Sequence, residues 1–337
     1  MFETRMRDAR RRGPTTASLA IALAATCGAA PAAASEGGAS VYLLGSGGPG
    51  AAVLPPVEGV FFDNSFYWYD GKAEASREFV IGGNVVLDLE ATIAADFATV
   101  LWVPSTDVLG GTLAVGAALP VGVPDVTAGA VLTGPGGGTA AVSRQDSAFV
   151  IGDPIVTAEL GWNLGGDSHL ALSTMINVPI GMYREDQLAN LAFHRWAVDT
   201  SLAGTWHDPK LGWDISLKAG VTFNGTNGHT DYKTGTEAHF EASVERMFSP
   251  RFSAGLQGYR FVQLTGDSGT GAVLGPNKGR VTGVGVTAAY NFPIGKMPAT
   301  LRGRVFEEFQ AERRLEGTAV MLDLTVPLSM KLPPRAE

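Results

Sequence analysis

The chain has 337 residues, of which 45% are apolar, 17% are charged and 44 are glycine, and its formal net charge is −8. Because soluble proteins average about 25% charged residues and about 7% glycine, this chain is poor in charge and rich in glycine. A disordered chain would be less apolar, a nucleic-acid binder would be basic, and a disulfide scaffold needs more cysteines than the single Cys27.

The first 34 residues have the order of a secretory signal peptide. Five arginines lie within Met1–Arg12, an apolar stretch covers Ala17–Ala25, and a run of small residues ends at Ala34. A basic start, a short apolar core and an A-x-A cleavage site are typical of a signal peptide, and the apolar stretch is too short to span a bilayer as a helix. We therefore predict a cleaved signal over residues 1–34 that takes Cys27 with it.

Residues 35–56 follow the predicted cleavage site and are rich in glycine and proline, with a few apolar side chains among them. Two interpretations stay open for this segment. It either folds into the interior of the domain that follows, as a plug, or forms a tail in the periplasm.

From residue 57 onwards the chain alternates apolar and polar residues, a pattern typical of strands with two unlike faces. In Trp213–Phe223, for example, Trp213, Ile215 and Leu217 alternate with Asp214, Ser216 and Lys218. The eleventh segment could also be drawn as a helix over Arg302–Arg314. Twelve segments are predicted, near residues 57–70, 83–103, 110–122, 147–162, 168–179, 193–206, 212–224, 236–248, 251–264, 279–292, 298–311 and 316–327.

A β-sandwich or a lipocalin-like barrel would alternate in the same way, but segment length and link length favour a membrane barrel. The segments reach about 11–14 residues, whereas soluble strands average about 5–6 and tilted transmembrane strands need about 9–11. Short and long links also alternate, as periplasmic turns and extracellular loops do. The tight links lie near Asn163–Asp167, His207–Leu211, Ser249-Pro250 and Pro293–Pro298, and the long ones at Gly122–Asp146, Ile180–Ala192, Gly225–Gly235 and Thr265–Lys278.

Aromatic residues collect beside the tight links, where an interfacial girdle is expected; they are Trp102, Trp162, Trp206, Trp213, Phe248, Phe252 and Phe292. We predict an all-β fold: a transmembrane antiparallel β-barrel of about 12 strands over residues 57–327, with a tail at 328–337, in the outer membrane of a Gram-negative bacterium. A sheet in lipid must close on itself because every backbone polar group has to be paired. By parity the predicted lumen-lining residues include Asp88, Glu90, Asp199, Lys218, Glu241, Glu245, Arg302 and Arg304.

The chain carries a series of short motifs: Gly152–Pro154, Gly161-Trp162, Pro179–Gly181, Gly204–Trp206, Asn224–Asn227, Thr230–Gly235, Gly258-Tyr259, Gln263–Gly269, Lys278–Arg280, Glu308-Phe309, Arg313 or Arg314, and Glu316-Gly317. In this order they resemble the outer-membrane protein family named for the MetA (meta) pathway of phenol degradation. The resemblance implies an outer-membrane barrel linked to the catabolism of aromatic compounds. One departure is that the chain continues past Pro327 to Glu337 rather than ending in the terminal aromatic that the assembly machinery of many barrels reads.

The predicted function is passive uptake of small hydrophobic or aromatic compounds, with no enzymatic activity. A structural or surface-interaction barrel with a blocked lumen is the alternative, and an outer-membrane lipid hydrolase is a third. Gly266–Gly269 matches a serine-protease motif but lies in a predicted loop, and Gly45–Gly50 is read as a flexible loop, so no catalytic, cofactor or metal site is predicted. The expected partners are the lipid bilayer, the solutes and the barrel-assembly machinery.

Overall fold

The computed structural model describes residues 36–74, 77–133, 139–295 and 297–331, so the predicted signal peptide lies outside the described residues. Twelve long antiparallel strands form the wall. They are β1 (Gly59–Lys72), β2 (Asn84–Val108), β3 (Gly111–Thr133), β4 (Ile155–Gly165), β5 (Ser168–Asn177), β6 (Ala197–Asp208), β7 (Trp213–Asn224), β8 (Glu237–Met247), β9 (Phe252–Gln263), β10 (Arg280–Ile294), β11 (Met297–Glu312) and β12 (Glu316–Met330).

Each strand pairs with the next, and β1 pairs with β12 from Gly59 opposite Met330 to Lys72 opposite Glu316, so the sheet is closed. The predicted all-β barrel of twelve strands is confirmed. The eleventh segment is strand β11, paired on both sides, and not a helix. Within the described ranges no helix is long and apolar enough to cross a bilayer.

The connection between β3 and β4 differs from the prediction. Gly122–Asp146 was expected to be a long loop, but β3 continues to Thr133, and a strand at Thr139–Ser147 pairs back along it. A two-residue strand, Val150–Ile151, pairs with β3 at Val121 and Gly122, and β4 begins only at Ile155. Pro120 and Pro124 lie within β3, and proline is tolerated in a strand where no regular ladder needs its missing N–H. Here the chain opposite them is the irregular stretch at 148–154.

The two faces of the wall are sorted as the alternation predicts along β6, β7 and β8. Exposed side chains on these strands include Val198, Leu202, Trp213, Ile215, Leu217, Phe223, Phe240 and Val244. Buried side chains include Asp199, Ser201, Thr205, Asp214, Ser216, Thr222, Glu237, His239, Glu241, Ser243 and Glu245. This arrangement inverts that of a soluble protein, and it is stable in a bilayer because the apolar face contacts lipid while the polar face lines the lumen.

The two ends of the barrel are unlike. The links at 109–110, 166–167, 209–212 and 248–251 are tight turns at one end. The other end carries the long links at 73–83, 178–196, 225–236 and 264–279, together with one short link at 313–315. Trp102 and Phe248 are exposed near the tight turns, and short turns mark the periplasmic side of such barrels.

Candidate functional site

The N-terminal segment, residues 36–56, lies inside the barrel. Near its start, the carboxylate of Glu36 accepts a hydrogen bond at 3.0 Å from Asn227 Nδ2, in the loop after β7. Near its end, the backbone N–H of Ala52 donates to Thr205 Oγ1 at 3.0 Å, close to the periplasmic end of β6. The segment therefore runs along the lumen from the extracellular mouth to the periplasmic end before β1 begins.

The middle of this segment is bonded to the lumen wall. The N–H of Gly45 donates to Glu241 Oε1 at 3.0 Å, and Gln257 Nε2 donates to the carbonyl of Gly45 at 2.8 Å. The ring of Tyr42 stacks on that of His239, with centroids 3.4 Å apart. Since two wall strands, β8 and β9, both bond to Gly45, the position of this residue across the lumen is well defined.

Glycine is required at Gly45 in particular. Its φ is +88°, and a Cβ at this position would lie 2.8 Å from a ring carbon of Phe306, so a larger residue would be strained and would clash. Further along, the N–H of Gly50 donates to Asp214 Oδ1 at 3.1 Å and to Ser216 Oγ at 3.0 Å. The run Gly45–Gly50, expected to be a flexible loop, is instead bonded to the interior of the barrel.

The structure places six of the predicted lumen residues on the inner face: Asp199, Lys218, Glu241, Glu245, Arg302 and Arg304. Arg302 contacts Glu245 through both terminal nitrogens, one of them at 3.3 Å, and so links β11 to β8. Arg304 Nη1 lies 2.9 Å from Asp323 Oδ2 on the neighbouring strand. The ammonium of Lys218 lies 5.2 Å from the centroid of the Tyr42 ring. These charges therefore contact one another or the N-terminal segment.

Asp88 and Glu90 do not line the lumen, and their prediction was wrong. Both are exposed, because this end of β2 turns its apolar face inward. Leu89 is buried in a cluster with Val86, Ala91 and other residues of the first extracellular hairpin. The rule that polar residues of a strand face the lumen fails here, because the extracellular end of β2 borders an apolar interior. The polar residues that alternate with the apolar ones therefore face outward.

The barrel interior brings Ser201, His239 and Asp199 together, a combination that the sequence did not reveal. His239 Nε2 lies 3.4 Å from Ser201 Oγ and 3.0 Å from Asp199 Oδ2. A catalytic triad needs the serine on one ring nitrogen and the carboxylate on the other. Here Ser201 and Asp199 both contact the same ring nitrogen of His239, so this geometry cannot relay a proton in that way. The His239 ring instead stacks on the ring of Tyr42.

A cavity of about 240 Å³ lies in the extracellular half of the barrel, above the middle of the N-terminal segment. Its wall is mostly apolar and includes Leu89, Ile93, Phe97, Pro120, Val126 and Ile155, while Tyr42 and Leu43 of the segment form its floor. Small-molecule sites are typically concave and apolar with a few polar groups. The cavity therefore has the character of a site for a small apolar molecule.

The loop at 178–196 folds over this cavity, with Leu188 and Ala192 buried beneath it. The ring of Tyr183 stacks on His194 and on His229 of the loop at 225–236, with centroids 5.3 and 5.4 Å apart. Burial raises the pKa of the Tyr183 hydroxyl to about 12, so this side chain stays neutral at physiological pH. Stacked rings thus join two extracellular loops over the mouth of the cavity.

Asp267 joins the next pair of extracellular loops. Its carboxylate accepts hydrogen bonds from Tyr232 Oη at 2.5 Å, from Gln263 Nε2 at 2.6 Å and from the N–H of Gly235 at 2.9 Å. Burial raises the pKa of Asp267 to about 6, against an ordinary value of 3.8. This residue belongs to the protease-like motif Gly266–Gly269, and here it connects loops at 225–236 and 264–279.

The contribution of Asp267 to stability is expected to depend on pH. A carboxyl with a raised pKa in the folded state binds its proton more tightly there than in the unfolded chain. Its stabilising contribution is therefore complete below about pH 4 and is lost as the pH rises through 6. We expect the difference in unfolding free energy between wild type and Asp267→Asn, measured in micelles, to be larger at pH 4 than at pH 7, by on the order of 1–3 kcal/mol. A difference that is flat or that grows with pH would contradict this assignment.

Among the residues described by the structure there is no group of three or more His, Cys, Asp or Glu side chains that could hold a metal ion.

Comparison with known proteins identifies the family. The family described as "Putative MetA-pathway of phenol degradation" matches residues 76–324. The chain belongs to this family. No curated protein matches the chain.

Among solved structures, an outer membrane channel from Pseudomonas putida F1 is 18% identical, with a TM-score of 0.66 over 83% of this chain and 99% of that one. A FadL homologue from Pseudomonas aeruginosa is 9% identical, with a TM-score of 0.38 over 88% and 97% of the two chains. The β domain of the Bordetella autotransporter BrkA is 14% identical, with a TM-score of 0.45 over 80% and 100%. The first of these shares the fold, and the chain is an outer-membrane β-barrel.

Proposed function

We propose that this protein is an outer-membrane channel for passive inward passage of small hydrophobic solutes, aromatic compounds among them. The observation that carries the proposal is the apolar cavity in the extracellular half of the barrel. Its wall residues, such as Phe97, Ile93 and Leu89, offer a small apolar molecule a surface that the polar lower lumen does not offer. Family membership supports the same substrate class.

In this proposal residues 36–56 act as a plug. The hydrogen bonds from Gly45 to Glu241 and from Gly50 to Asp214 hold the segment across the lumen below the cavity. A solute that enters the cavity can continue along the lumen only when this segment shifts. The plug would thus limit the leakage of water and ions while the cavity collects apolar solutes from outside.

The test is uptake of toluene by a deletion strain at low external concentration. We expect uptake to be several-fold slower than in the parent strain, and to return on expression of the wild-type chain. At high concentration the difference should shrink, because diffusion through the bilayer then dominates. Equal uptake by the deletion and parent strains at low concentration would count against the proposal.

A structural or surface-interaction barrel with a blocked lumen is a second candidate, favoured by the same segment inside the barrel. The two candidates differ in solute passage through purified protein. A small apolar solute should enter liposomes that contain the reconstituted protein faster than it enters protein-free liposomes. A blocked barrel would leave the entry rate unchanged.

A further inference from the structure

The polar groups of the cavity are unequally satisfied. Five of its lining residues carry a carboxylate or a guanidinium: Glu36, Asp153, Arg195, Glu308 and Arg314. Each of the three carboxylates accepts hydrogen bonds from at least two donors, whereas both arginines keep a buried nitrogen without a partner. The cavity therefore needs acceptors more than it needs donors.

The carboxylates are satisfied within the protein. Asp153 accepts hydrogen bonds from Asn177 Nδ2 at 2.9 Å and from the N–H groups of Gly181, Phe193 and His194 at 2.8–2.9 Å. The other two are held by hydroxyl and amide donors, from Tyr69 and Tyr259 for Glu308 and from Asn227 and Thr230 for Glu36. A cationic or hydrogen-donating ligand would have to compete with these bonds.

Each arginine keeps one buried nitrogen without a hydrogen-bond partner. Arg195 is 1% exposed; its Nε donates to Asn224 Oδ1 at 3.1 Å, and its Nη2 is buried without a hydrogen-bond partner. Arg314, in the short link after β11, lies over the ring of Phe261 at 4.1 Å, and its Nη1 is also buried without a partner. Burial of an unpaired guanidinium N–H costs free energy, which an acceptor on a ligand would recover.

We propose that the cavity binds a small aromatic carboxylate, with the carboxylate on Arg195 and the ring in the apolar part of the cavity. A guanidinium and a carboxylate form charge-assisted hydrogen bonds of matching planar geometry. Arg314 adds a second positive charge to the lining of the same cavity. The volume of about 240 Å³ is below the range of drug-sized pockets, about 300–1,000 Å³, and this limits the ligand to a single-ring compound.

The proposal rests on the proposed function only in taking this cavity as the solute site. It is tested by calorimetric titration of purified protein in detergent with three probes: benzoate, benzamide and acetate. Benzamide keeps the ring and shape without the charge, and acetate keeps the carboxylate without the ring. We expect benzoate to bind about tenfold more tightly than either probe, as charge-assisted bonds in a buried site allow. Equal affinity for benzoate and benzamide would overturn the proposal.

Substitutions of Arg195 test whether the carboxylate of the ligand binds to this residue. In Arg195→Gln we expect the preference for benzoate over benzamide to fall to about twofold. Arg313→Gln is the matched control, because Arg313 precedes Arg314 in the chain but does not line the cavity, and Arg313 Nη1 donates to Asn277 Oδ1 at 3.1 Å. Arg195→Lys keeps a positive charge if the glutamine variant does not fold, as judged by heat-modifiable migration, and should keep part of the preference. A full preference in the folded Arg195→Gln protein would refute the assignment to Arg195.

The two proposals fail separately. If toluene enters liposomes through the protein but benzoate shows no preference in titration, the channel function stands and the carboxylate site is wrong. If benzoate binds as expected but no solute crosses, the cavity is a binding site in a closed barrel.

Discussion

Deletion of residues 36–50 is expected to raise the single-channel conductance several-fold. In the intact protein these residues occupy the lumen, where the N–H of Gly45 donates to Glu241 and Tyr42 stacks on His239. A barrel of twelve strands lies between the filled eight-stranded barrels and the open porins, so its lumen is wide enough to conduct once the segment is absent. Planar-bilayer recordings of wild type and deletion variant measure the effect.

A point substitution provides a milder form of the same experiment. Glu241→Gln removes the charged acceptor for the N–H of Gly45 and should produce brief openings without a full rise in conductance. Glu307→Gln is the matched control, because Glu307 is exposed and accepts a hydrogen bond from Thr318 Oγ1 at 2.7 Å. Both variants must show the heat-modifiable migration of a folded barrel. Unchanged conductance after the deletion would show that the segment is no barrier to ions.

Removal of one partner of the Glu245–Arg302 pair is expected to cause the largest loss of stability among the lumen substitutions. The Glu245 and Arg302 side chains are 6% and 16% exposed, and Arg302 also donates to Thr287 Oγ1 at 2.9 Å. Loss of one partner from a buried ion pair leaves the other charge uncompensated, which typically costs about 3–5 kcal/mol. We expect Glu245→Gln to lower the free energy of unfolding in micelles by an amount of this order.

Two controls distinguish the loss of the ion pair from other effects of the substitution on stability. The double variant Glu245→Gln with Arg302→Gln should recover most of the loss, because no unpaired charge then remains. Glu58→Gln removes one partner of the exposed pair between Glu58 and Lys331, which are 2.9 Å apart, and should cost less than about 1 kcal/mol. A Glu245→Gln variant as stable as Glu58→Gln would show that the lumen is wet enough to solvate Arg302.

The barrel wall was predictable because its signal is local. Side chains of a strand alternate between two faces, so the apolar and polar residues of Trp213–Phe223 already divide into a lipid face and a lumen face. The same pattern predicted the buried positions of Asp199, Glu241 and Glu245, which the structure places on the inner face. No pairing partner needs to be known for this step.

The parity rule failed on β2, whose buried side chains from Leu89 to Val103 are all odd-numbered. At Asp88 and Glu90 the alternation is as regular as elsewhere, yet the apolar face of β2 points inward to Phe79 and Leu188. The sequence of β2 alone could not show this, because the rule assumes a wet lumen and a lipid exterior at every height. The lining of the cavity by Leu89 and Ile93 was missed for the same reason.

By itself the sequence determined the number of strands, the end of the barrel that carries tight turns, and the two-faced character of the wall, because each of these depends on residues near one another in the chain. Only the tertiary structure decided what fills the lumen. Closure of the sheet brings Gly45 to Glu241, Glu245 to Arg302, and Arg195 into one cavity with Arg314. These contacts join residues far apart in sequence, and their positions follow from the register of all twelve strands together.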